Sequence, residues 1–96
     1  MTKEKKIQIF TDARNKWGEH SQLIVACEEL AELIQAITKH LRFNDGKTVD
    51  YNLMEECADS LIVIDQIMYM FGMQEVVEDI YKQKMKRLEK TIKEAK

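Results

Sequence analysis

The chain has 96 residues, a formal net charge of −2, no proline, three glycines and two cysteines. That is the size of one small domain, spanning residues 1–96. The weak acidity argues against nucleic acid as a partner, and no apolar run approaches the ~20 residues of a membrane span, which excludes a membrane.

Helical periodicity divides the chain into four elements. The first runs from about Thr2 to Lys16, with Ile7, Phe10, Arg14 and Trp17 along one side and Gly18 at its end. The second runs from about Ser21 to Leu41, with Leu23, Cys27, Leu30, Ile34, Ile37 and Leu41 as its strongest apolar stripe. Asn44-Asp45-Gly46 signals a turn, so a loop is expected from Arg42 to Val49. Asp50 is the expected N-cap of the third helix, which covers about Tyr51 to Met70 and carries the stripe Leu53, Cys57, Leu61, Ile64 and Met68. Gly72 marks its C-terminal end, and the fourth helix extends from near Met73 to Glu94, acidic in its first turns and lysine-rich in its last, which suits the helix dipole. The expected fold class is all-α. Cys27 and Cys57 both fall within helices as buried thiols, and Met1 to Lys6 carry no apolar signal segment, so a reduced, cytoplasmic protein is expected.

The second and third helices share an acidic pattern. Glu28, Glu29 and Glu32 are matched by Glu55, Glu56 and Asp59, each set in apolar surroundings roughly opposite the strongest stripe. Like charges three or four residues apart on a helix repel. A surface carboxylate normally has Lys or Arg at that spacing, and none of these six does; no Lys or Arg occurs from Trp17 to Thr38 or from Thr48 to Tyr81. If the two helices pack antiparallel, the clusters face one space. Oxygen-only ligands suit a hard cation, namely Mg²⁺, Mn²⁺ or Ca²⁺, rather than zinc. A di-iron bundle would call for Glu-x-x-His on two helices, whereas the third position after Glu29 is Glu32 and after Glu56 is Asp59.

Glu29-Leu30-Ala31-Glu32 followed by Glu56-Cys57-Ala58-Asp59 resembles the signature of the MazG-like, all-α nucleoside triphosphate pyrophosphohydrolase family, over about Trp17 to Leu88. The resemblance implies a four-helix MazG-like bundle and hydrolysis of an NTP or dNTP to the monophosphate and pyrophosphate. It implies Mg²⁺, with Mn²⁺ as a substitute, on Glu29, Glu32, Glu56 and Asp59, and a role for Glu28 or Glu55 in orienting or deprotonating the attacking water. It also places basic residues of the last helix on the phosphates, for which Lys84 and Arg87 are the choice here. Many relatives carry an Asn in that helix, where this chain has Lys86 and Leu88 nearby. Trp17 is a candidate to stack on a base, set against a place in the core. Apolar residues on further sides of the middle helices, including Val25, Ala26, Ile62, Val63 and Ile67, point to a homodimer or a homotetramer. The competing expectations are a non-catalytic helical adaptor or antitoxin-like partner, and a phosphoribosyl-ATP pyrophosphohydrolase of the same superfamily.

Overall fold

The computed structural model describes residues 1–43 and 49–95. It holds four helices in chain order: α1 (Lys3–Trp17), α2 (Glu19–Phe43), α3 (Tyr51–Phe71) and α4 (Gln74–Glu94), with no strand among the described residues. The turn expected at Asn44-Asp45-Gly46 lies outside them. None of the four helices is long and apolar enough to cross a membrane.

Local chemistry explains the boundaries. Thr2 caps α1, its hydroxyl accepting from the Lys5 amide at 3.0 Å. Gly18 alone separates α1 from α2; its φ of 86° is a conformation that side chains other than glycine disfavour. The Arg14–Glu19 ion pair, at 3.1 Å, braces that junction. Asp50 caps α3 by accepting from the Leu53 amide at 2.8 Å. Gly72, at φ 63° and ψ 39°, ends α3 in the left-handed conformation, and its N–H returns to the carbonyls of Met68 and Tyr69. With α1 and α2 separated by one residue, α2 starts two residues before the expected Ser21 and runs two past Leu41.

The packing departs from the expected faces of the two long helices. α2 and α3 make the principal contact of the chain, and the residues fully buried on them are Ala26, Ala36, Ser60 and Val63, with Leu33, Leu53 and Ile67 half-buried. The apolar stripes that are strongest in the sequence are only partly covered: Leu23, Leu30, Leu53 and Met68 are half-buried, whereas Ile34 is 64% exposed and Leu61 68%. Cys27 and Cys57, expected to be buried, are free and exposed because they belong to those stripes. The physical reason is the distance at which two helices can meet, which the contacting side chains set within about 8–10 Å.

α1 lies across α2 and α3. Phe10, the buried residue of α1, meets Tyr69 at 6.1 Å between ring centroids, and the hydroxyls of Thr11 and Tyr69 are 2.6 Å apart. The Lys6 ammonium pairs with Asp65. α4 touches α3 alone, and its residues from Glu78 onward are all exposed as far as they are described. Within one chain the four helices therefore do not close a bundle.

Candidate metal centre

The seam that buries the small residues also holds the carboxylates. Glu29 lies three residues after Ala26 on α2, and Glu56 lies four before Ser60 on α3, so both turn into the α2–α3 contact. Each is half-buried, and each has an Oε2 shielded from solvent with no hydrogen-bond partner. Glu32, one turn beyond Glu29, is exposed at the rim. One carboxylate oxygen from each of Glu29, Glu32 and Glu56 falls within 4.8 Å of the other two, drawn from two helices. Asp59 stands outside this trio, close enough for its charge to act on both Glu29 and Glu56.

Electrostatics follows from that placement. The carboxyls of Glu29 and Glu56 are both raised above their ordinary value of 4.5, first by desolvation in the seam, then by the negative charges of Glu32 and Asp59, and also by a hydrogen bond of each carboxyl with Glu32. Among the described residues no Lys, Arg or His forms an ion pair with any of the six carboxylates of the two clusters. Buried carboxylate oxygens ordinarily have donors. Glu29, Glu32 and Glu56 form a group whose carboxylate oxygens could hold a cation.

The remaining sequence candidates are dispersed. Glu28 and Glu55 are exposed and flank the trio on their respective helices. Lys84 and Arg87 are exposed on α4, which does not contact α2. Trp17 ends α1 and is 58% exposed, not a core residue. It lines a cleft of about 390 Å³ with Ser21, Gln22 and Val25, and the Lys16 ammonium sits 5.3 Å from its ring. Gln22 in turn accepts a hydrogen bond from Gln66 Nε2 at 3.0 Å, tying the floor of this cleft to α3. Gln22 and Glu29 lie seven residues apart on α2, about 10 Å along its axis and on the same side.

Two features were not singled out by sequence reasoning. Ser60 is 3% exposed, and its Oγ has no hydrogen-bond partner. Its signal was a serine one turn after Glu56, at the start of the apolar run Leu61 to Ile64. His40, half-buried on α2, also has an unpartnered Nδ1.

No family model matches the chain, and neither does any curated protein or solved structure.

Proposed function

We propose that the chain is a Mg²⁺-dependent nucleotide pyrophosphohydrolase that cleaves an NTP or dNTP to the monophosphate and pyrophosphate, with Mn²⁺ as a substitute metal. The observation that carries this reading is the pair of solvent-shielded, unpartnered Oε2 atoms of Glu29 and Glu56, converging with Glu32 from two helices. In this reading Glu29, Glu32, Glu56 and Asp59 hold the cation. Bound Mg²⁺ supplies neutralisation of the triphosphate and a more acidic water. The exposed Glu28 or Glu55, beside the ligands, orients the attacking water and takes its proton as the anhydride bond breaks and pyrophosphate leaves. Trp17, at the end of α1, and Gln22, about 10 Å from Glu29 along α2, receive the base.

Lys84 and Arg87 act on the phosphates in this reading. They stand apart from the acidic cluster within one chain, so the role requires a neighbouring copy to bring its α4 across, as part of a homodimer or homotetramer. The two free cysteines suit a reducing, cytoplasmic setting.

The test is pyrophosphate release from a panel of NTPs and dNTPs with Mg²⁺. Wild type releases pyrophosphate from at least one substrate, and Glu56→Gln does not. Silence of both on every substrate refutes the reading. Phosphoribosyl-ATP belongs in the same panel, since a superfamily member specific for it would respond to that compound alone.

The bare apolar faces favour a second reading, a non-catalytic helical adaptor or antitoxin-like partner. It predicts no effect of Mg²⁺ plus a non-hydrolysable nucleotide on the melting temperature. A clear rise counts against it, because a ligand of the native state stabilises that state.

A further inference from the structure

We propose that Ser60 is a positioning residue of the candidate metal centre, its hydroxyl donating to the carboxylate of Glu29 when a divalent cation is bound. The inference rests on the metal-binding part of the reading above and adds to it a donor that no carboxylate supplies.

Placement puts the two side chains together. On α3 the residues Leu53, Glu56, Ser60, Val63 and Ile67 are buried or half-buried at alternating spacings of three and four, so Ser60 and Glu56 share the side turned to α2. Gln66 Nε2 reaches Gln22 Oε1 at 3.0 Å, and a carboxylate oxygen of Glu56 lies within 4.8 Å of one of Glu32. Both contacts fit one antiparallel register, which sets Ser60 opposite Glu28 and Glu29. Glu28 is exposed, so Glu29 is the half-buried acid at that level of the seam.

The hydroxyl itself is uncommitted. A hydroxyl inside a helix ordinarily bonds back to a carbonyl three or four residues earlier. Thr11 does so to Ile7 at 2.8 Å, Thr38 to Gln35 at 2.9 Å and Thr91 to Arg87 at 2.9 Å. Ser60 does not. It is 3% exposed, the one polar residue fully buried among the described residues, and its Oγ has no partner. A buried hydroxyl left free costs stability. Packing alone would be served by alanine, which carries no such cost.

Its chemistry supplies what the acids lack. Glu29 and Glu56 each keep one shielded oxygen without a donor, and Glu32 and Asp59 bring further negative charge. A carboxylate that holds a cation through one oxygen presents lone pairs on the other, and metal-ligating carboxylates are themselves hydrogen-bonded. Serine offers one O–H donor. Donating to Glu29, it favours the ionised carboxylate and fixes its orientation. Ser60 acts on the cation through Glu29 and is not itself a catalytic residue.

Electron paramagnetic resonance of Mn²⁺, whose free signal is lost on binding, tests this on the full chain without nucleotide. The readout is affinity, not turnover. Ser60→Ala is expected to bind Mn²⁺ about 10–100-fold more weakly than wild type, while its unfolding midpoint in EDTA does not fall. Ser60→Thr keeps the hydroxyl and is expected to recover most of the affinity. Thr38→Ala removes an exposed hydroxyl already bonded to its own helix and is expected to bind as wild type does. A merely structural serine would lower midpoint and affinity together in Ser60→Ala, and that result overturns the proposal. So does a Ser60→Ala chain that binds Mn²⁺ like wild type. Should Ser60→Thr be too large for the seam to fold, Ser60→Cys, a weaker donor of similar shape, is expected between Ser60→Ala and wild type; affinity no better than that of Ser60→Ala overturns the proposal. Wild type that takes up neither Mn²⁺ nor Mg²⁺ removes the metal centre and this role with it. Metal uptake without pyrophosphate release fails the hydrolase alone, and the Ser60 comparison then decides this proposal by itself.

Discussion

Replacing Ser60 by alanine is expected to stabilise the metal-free protein. The serine is 3% exposed on the α3 side of the seam, and its hydroxyl has no partner. A buried polar group left unpaired costs about 1–3 kcal/mol, and alanine exceeds serine in helix propensity by about 0.5 kcal/mol. Against this stands the loss of one oxygen atom's packing, a fraction of the ~0.8 kcal/mol assigned to a buried methylene. The net gain is about 1–2 kcal/mol, and each kcal/mol moves the melting temperature of a chain this size by about 4–8 °C. The assay is thermal and urea unfolding followed by circular dichroism, with EDTA present. Protein concentration is held fixed, because assembly makes the midpoint depend on it. An unchanged or lower midpoint for Ser60→Ala refutes the reasoning, since it would mean that the hydroxyl is bonded in the native state. If the variant gains stability without metal and loses the stabilisation by Mg²⁺, the hydroxyl serves the bound site.

Three further outcomes follow from the same geometry. Glu29 and Glu56 have folded values raised above 4.5, so the native state holds their protons more tightly than the unfolded chain does. Their contribution to stability is therefore full below that value and is lost as pH rises through the raised range; metal-free melting temperature should fall over that interval, and stabilisation by Mg²⁺ should grow, because the ligands must be deprotonated. A Glu29→Gln/Glu56→Gln chain that keeps the same pH dependence would contradict the assignment. Trp17 is the only tryptophan, so its fluorescence reports its cleft directly. Nucleotide with Ca²⁺ should quench it, and pyrophosphate release with unquenched Trp17 would remove this residue from the base site while leaving the acidic site in place. Asp50→Ala removes the N-cap acceptor of Leu53 N–H and should cost about 1 kcal/mol, read as a lower urea midpoint with unchanged slope.

The acidic cluster was legible in the sequence to an unusual degree. Glu29, Glu32 and Glu56 converge, and the signal was the absence of basic residues at helical spacing, a property that no folding is needed to see. The role of Asp59 was less legible. It repeats the position of Glu32, yet it stands outside the trio, because matching positions on two helices become matching places in space only for a particular rotation of each. The packed faces were not legible. Ile34, Leu41 and Leu61 belong to the apolar stripes read from the sequence, yet they lie outside, and Ala26, Ala36 and Ser60 lie inside.

What the sequence by itself determined is what depends on a few neighbouring residues. Four helices, the caps at Thr2 and Asp50, the left-handed stop at Gly72 and the doubled carboxylates all rest on interactions that span five residues or fewer. Only the tertiary structure decided which of two apolar faces on α2 and α3 would meet. The choice depends on how closely two whole helices approach, and the small residues that set this distance carry little hydrophobic signal of their own. The α2–α3 contact shields one oxygen each of Glu29 and Glu56 from water and leaves it unpaired, turning a repeated acidic pattern into a candidate site for a cation.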